Sequence, residues 1–214
     1  MPGFEEHGQG RDSLGIGVDL GFAEIGGHKT QFKIEKWDLD QINWVRKKLR
    51  IRPGWEPIAQ HFRRLNVRPF ETYVKENANI IVDGGWQMLM NGVAGSAVTK
   101  FSNGAVGRIM GGDTSTAVAY TQTDLQAAAA GANRYCALIN SVPTVGSTHT
   151  AGLVLTAQFA LGNGNFSWQE FGLDSGTASG ANAAVAPFFS RGLATPGTKT
   201  SSQTWNATLT YTWT

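Results

Sequence analysis

The stretch Asn163–Leu173, NGNFSWQEFGL, places a carboxylate, Glu170, two positions after Trp168 and four after Phe166. In an extended strand those three side chains share one face. A carboxyl group held among aromatic rings has its charged form disfavoured, so it can serve as a general acid or base. Such chemistry needs a partner. Glycoside hydrolysis, for instance, takes a second carboxylate across a cleft. The other acids after residue 77 are Asp83, Asp113, Asp124 and Asp174, mostly in turn-like sequence. The plainer reading makes Glu170 structural, accepting bonds from turn amides or pairing with Arg134 or Arg191. That reading is adopted here, and no catalytic residue is assigned.

Other reactive groups are scattered. His7, His28, His61 and His149 show no HxxxH spacing, and Cys136 is the one cysteine, so no metal-ligand pattern and no disulfide framework is present. Neither a phosphate-binding P-loop nor a G-x-S-x-G nucleophile turn occurs. No metal or other cofactor is expected. GGDTSTA, Gly111 to Ala117, loosely resembles a phosphate or calcium loop, but a strand running into a turn accounts for it. The one basic cluster is RKKLRIR, Arg46 to Arg52, with five charged residues in seven and Trp44 and Trp55 on its flanks. It could contact phosphate, be a solvated helix end, or dock on an acidic protein surface, for which Trp and Arg are the usual anchors. Trp37, Trp44, Arg46, Lys47, Lys48, Arg50, Arg52 and Trp55 are the candidate partner-binding residues.

The elements that must position these groups divide by charge. Up to Glu76 the chain holds 13 Lys/Arg and 11 Asp/Glu, and from Asn77 onward it holds 5 of each. Net charge is +2, too small for a whole-molecule field that would draw nucleic acid, so nucleic acid is an unlikely partner. No apolar run approaches the ~18 residues of a membrane span, and MPGFEEHGQG lacks the features of a signal peptide. Three regions are expected: an extended N-terminal arm over residues 1–31, a short helical docking segment over 32–76, and a β-sandwich domain with a leading helix over 77–214. The arm has six glycines in its first 21 positions and little periodicity.

Asp38 is placed to cap a helix in which Leu39, Ile42, Val45 and Leu49 share a face. Ile58, Phe62 and Leu65 mark a second helix ahead of Arg68-Pro69. NIIVDGGWQMLMNGVAG reads as a third, weakened by Gly84-Gly85. Beyond Gly104 the period switches to two. AVGRIMGG, NRYCALINSV and GLVLTAQFAL read as strands, and QTWNATLTYTWT alternates over its whole length. Trp205, Ala207, Leu209, Tyr211 and Trp213 fall on one face of that terminal strand, and threonines with Asn206 on the other. The predicted fold is mainly β: an antiparallel β-sandwich preceded by an extended arm and two or three short helices. Trp168, Glu170, Gly172, Trp205 and Trp213 are expected to be structural.

Three segments in order carry a resemblance: GRIMGGDTSTAVAYTQTDLQ, NGNFSWQEFGLDSG and GTKTSSQTWNATLTYTWT. They resemble small β-sandwich virion proteins of tailed bacteriophages, especially those of actinobacteria. The matching residues are Gly112, Asp113, Thr123, Asp124 and Leu125, then Trp168, Glu170, Phe171 and Gly172, then Lys199, Thr200 and Ser201. The resemblance implies a non-enzymatic virion protein, made in the bacterial host cytoplasm, of capsid decoration or minor capsid type. Its partners would be the major capsid protein or other virion proteins, with a homo-oligomer such as a trimer plausible and no membrane involved. A tail-tip or fibre-base component is the alternative. A carbohydrate-binding β-sandwich is a second, and it requires the aromatic face of the terminal strand to point outward.

Overall fold

The computed structural model describes residues 28–77, 79–141, 143–145 and 151–213. Residues 1–27 of the expected arm, and His7 and His149, lie outside the described residues. Ten strands and three helices are described: β1 (His28–Asp38), α1 (Leu39–Leu49), α2 (Ala59–Arg64), β2 (Glu71–Glu76), β3 (Asn79–Ile81), α3 (Asp83–Val93), β4 (Arg108–Gly112), β5 (Arg134–Leu138), β6 (Thr144–Val145), β7 (Ala151–Phe159), β8 (Ser167–Asp174), β9 (Phe188–Thr198) and β10 (Gln203–Trp213). They build two antiparallel sheets, ordered β2-β1-β10-β7-β6 and β3-β9-β8-β4-β5. The protein is mainly β, a two-sheet sandwich with three helices.

The main core lies between the sheets. Phe32 and Ile34 of β1, Leu155, Ala157 and Phe159 of β7, and Trp205, Ala207, Leu209 and Tyr211 of β10 meet Ile109, Trp168, Phe171, Leu173 and Phe189 of the opposing sheet. Phe32 and Phe171 stack across the gap, with ring centroids 4.0 Å apart. On β10 the expected face is inside, with Trp205 to Tyr211 sealed and Trp213 half-buried. The threonines take the other face.

β1 changes the expected division of the chain. It pairs with β10 in continuous register from His28↔Trp213 to Asp38↔Gln203, and with β2 on its other side. The charged segment over 32–76 is therefore part of the sandwich, and the extended conformation near residue 31 continues into a sheet strand. Its inward face carries Thr30, Phe32, Ile34 and the buried Lys36, whose ammonium lies over the Trp205 ring at 4.7 Å, and its outward face includes Lys29, Lys33 and Glu35. The helices also pack on the sandwich. Asp38 caps α1, accepting from the Gln41 amide at 2.8 Å, while the Gln41 side chain accepts from the Asp38 amide. Ile42, Val45, Ala59 and Phe62 join Trp37 in a second core, with Leu161 from the loop after β7 against it. Arg63 bonds Glu35 of β1 at 2.7 Å, and Glu56 accepts from the Leu161 amide and the Thr204 hydroxyl. α3 follows β3, and Gly85 is required there: a Cβ would lie 2.1 Å from the Phe189 carbonyl oxygen.

Candidate functional site

Glu170 does not share a face with Trp168. A register shift between β8 and β9 falls between these two residues. Between Trp168↔Gly197 and Glu170↔Leu193 the ladder takes four steps on β9 against two on β8, an irregularity at which regular side-chain alternation breaks. The consequence is visible on β4, where a Cβ on Gly111 would meet the Trp168 ring and one on Gly112 would meet the Glu170 carboxylate. Consecutive strand residues point to opposite faces. Trp168 thus enters the main core, together with Phe171, and Glu170 faces the outer side of its sheet.

That outer side is covered by two long connections, 113–133 and 175–187, and Glu170 is one of the groups that holds them. Its carboxylate accepts from the backbone amides of Ala127 at 2.7 Å and Gln126 at 3.1 Å, and from Arg191 Nε at 2.6 Å. Arg191 donates further to the carbonyls of Thr116 and Ala117 and to Gln122 Oε1. Both side chains are completely buried. Of the two arginines expected for Glu170, Arg191 is the partner. Arg134 instead takes Asp124 at 2.7 Å and donates to the carbonyls of Leu125 and Ala127.

A third arginine repeats the arrangement. Arg108 grips Asp174 through Nε at 2.9 Å and through Nη2, and donates to the carbonyls of Ala178 and Ala183. Asp174 in turn accepts from the amides of Gly176 and Val185. Burial works against the Arg108 cation, but the hydrogen bond and charge of Asp174 outweigh it and raise its pKa. Below the loops Val82, Met110, Leu125, Cys136 and Phe188 form a third, small core, where burial pushes the Cys136 thiol up to about 12. GGDTSTA is thus a strand end and a loop whose carbonyls are read by Arg191. Chemically, Glu170 and Asp174 are saturated acceptors: each is completely buried and faces a guanidinium and two backbone amide donors.

Gly172 sits under Phe188, whose ring lies 2.9 Å from where a Cβ would be. Lys199, buried to 1 %, closes the 160–165 turn, donating to the Ala160 carbonyl at 2.7 Å and Asn165 Oδ1 at 2.9 Å. Desolvation lowers its pKa to about 8, with the charge of Glu56 pulling the other way. Tyr211 is buried as well, so the ring face that a sugar would need is turned inward. Among the described residues no group of three or more His, Cys, Asp or Glu side chains is placed to hold a metal ion. No helix of the described residues is long and apolar enough to cross a membrane.

The basic cluster is a surface. Arg46, Lys47 and Lys48 end α1, the helix terminus that favours cations. Arg50 turns the chain with φ 49°, and the Ile51 amide returns to the Arg46 carbonyl. Arg46 Nε donates to the Trp55 carbonyl at 3.2 Å, closing a loop that lines a hollow of about 680 Å³ with Arg46, Lys47, Arg50 and Arg52. Trp55 is 69 % exposed and Trp44 44 %, with Lys48 over the Trp44 ring at 5.6 Å. Among the described residues none of these five cations forms an ion pair. Trp37 departs from expectation. It is 1 % exposed and stacked on Phe62 at 4.5 Å, so it holds α2 to β1 and has no surface to offer a partner.

No family model, curated protein or solved structure matches the chain.

Proposed function

We propose that this chain is a non-enzymatic structural protein of a tailed-phage virion, a capsid decoration or minor capsid protein that binds the major capsid shell through the end of α1. One observation carries the reading: five cations, none of them ion-paired among the described residues, lie beside two exposed tryptophans, on a molecule whose chain from Asn77 onward buries most of its few charges. Trp and Arg dominate the energetics of protein interfaces, and a surface of unopposed cations selects an acidic one. The resemblance in sequence order to small β-sandwich virion proteins supplies the setting, and the two-sheet fold agrees with it. The N-terminal arm is taken to extend the same attachment, and a homo-oligomer such as a trimer suits the role.

Purified particles carrying the chain test this. Trp55→Ala combined with Arg50→Glu and Arg52→Glu alters only exposed side chains, so its unfolding midpoint should fall by no more than about 4 °C, the cost of an acid at the α1 C-terminus, while occupancy on particles falls by at least about tenfold. Unchanged occupancy overturns attachment through this surface. Absence of the chain from particles overturns the virion role. Quantitative mass spectrometry against the shell protein separates decoration, with many copies, from the alternative of a tail-tip or fibre-base component at a single vertex.

A further inference from the structure

The arm as a whole has little periodicity, yet one stretch of it alternates. In SLGIGVDLGF, Ser13 to Phe22, the residues Leu14, Ile16, Val18, Leu20 and Phe22 occupy every second position, with Gly15, Gly17, Asp19 and Gly21 between them. Extended, this segment has one wholly apolar face and one face of glycine and a single carboxylate. A face of that kind is driven to leave water.

An apolar groove of about 510 Å³ opens where the main core reaches the surface, between α3, the 98–103 loop and the start of β7. Met88, Leu89, Val98, Phe101, Leu153 and Phe189 wall it, with Lys100 also among its lining residues. It lies beside the start of β1. His28 opposes Trp213, and Trp213 opposes Ala151, two residues before Leu153. The groove's β7 wall is therefore two strand spacings from β1, about 10 Å. The His28 ring also meets Trp86 of α3 edge-on at 6.1 Å, two residues before Met88. Phe22 precedes His28 by six residues, and an extended link of that length spans about 20 Å. The reach is sufficient within one chain.

We propose that the chain's own segment Val18–Phe22 lies extended in this groove, with Val18, Leu20 and Phe22 against its apolar wall and Asp19 toward Lys100. Residues 1–13 would remain beyond the groove, available for the attachment proposed above, on which this inference does not depend.

Hydrogen-exchange mass spectrometry on the full-length parent and the full-length Leu20→Asp/Phe22→Asp variant tests it. Peptides covering Met88–Val93 and Val98–Ser102 should exchange at least tenfold faster in the variant, while those of β5 stay unchanged. Disulfide trapping identifies whose segment is bound. Phe22→Cys paired with Gly92→Cys, a groove position open to a side chain, should close within one chain, read by intact mass and non-reducing electrophoresis. Equal exchange in the two proteins overturns the proposal. A bond between two chains also overturns it, and places a second copy's segment in the groove.

Discussion

Replacing Glu170 by Gln separates a structural carboxylate from a reactive one by the sign of its effect on stability. Glu170 is entirely buried and presents two oxygens to four donor groups: the amides of Gln126 and Ala127, and Nε and Nη2 of Arg191. Glutamine keeps the shape but converts one oxygen to an NH₂ group. Either orientation then sets donor against donor, and the Arg191 cation loses its counter-charge inside the protein. Removing one partner of a buried pair costs about 3–5 kcal/mol, a large part of the roughly 5–15 kcal/mol that holds a domain together. For a chain of this size that corresponds to a fall in Tm of about 6–20 °C. Urea and thermal unfolding of Glu170→Gln, Arg191→Met and the double variant measure it. Each single variant should lose about 3 kcal/mol or more. The double variant should lose clearly less than their sum, because it leaves no orphaned charge. The amides of Gln126 and Ala127 should lose exchange protection in Glu170→Gln, and chymotrypsin should cut at Tyr120, which is already half exposed. A Glu170→Gln protein as stable as the parent, more stable, or strictly additive with Arg191→Met would refute the reasoning. Neutralising a carboxylate poised for catalysis commonly gains stability.

The native Cys136 thiol, with its pKa pushed up to about 12, should resist a thiol reagent at pH 8 and react at once in denaturant. Because its folded pKa lies above its ordinary value of 9.0, the proton it keeps stabilises the fold fully below that value, and the contribution is lost as pH climbs toward 12. Lys199 has the opposite sign: the unfolded chain holds its proton up to 10.5 and the folded one only to about 8. The stability of the parent relative to Lys199→Met should therefore improve as pH rises through that window, read by urea unfolding at several pH values. Gly85→Ala adds a better helix former worth about 1 kcal/mol, yet its Cβ meets backbone at 2.1 Å. The clash should win and lower Tm, and a rise would show that α3 moves freely against β9.

How far the sequence reveals this structure depends on how many faces of each strand are covered. β7 and β10 have one buried face and one polar face, so their alternation is plain and their inward residues are read correctly. β9, FFSRGLATPGT, shows no alternation, because loops cover its outer side as the second sheet covers its inner one, and both sets of residues are buried. β1 did carry a signal in Thr30, Phe32 and Ile34, all sealed, but its outward lysines and glutamate read as part of a charged arm and helical segment. The face of Glu170 was beyond reach of periodicity, since the irregular pairing with β9 between Trp168 and Glu170 breaks the alternation of β8. The basic surface was legible because helix capping at Asp38, the 3.6-residue stripe and the Pro53-Gly54 break each act locally. Trp37 was misread because its neighbours in sequence are charged, while its neighbours in space are Phe62 and Val45.

The charge discontinuity near Asn77 acquires a physical meaning from these placements. Beyond it the chain has five cations, Lys100, Arg108, Arg134, Arg191 and Lys199, and all but Lys100 are 3 % exposed or less. The scarcity of charge in the sandwich thus understates its role there, since most of it lies inside, where each arginine gathers carbonyls from connections too rich in Ala, Gly, Ser and Thr to fold on hydrophobic burial alone. Loops fastened this way have few low-energy openings, because each requires an arginine and a carboxylate to part without water between them. A surface so fixed, and so sparsely charged, has little to bring a charged partner to it. In the first 76 residues exposed charges of both signs also lie on β2, so it is the cluster of like charge around α1 that favours an acidic partner, and the proposed attachment through that end should weaken with rising salt far more than the fold itself does.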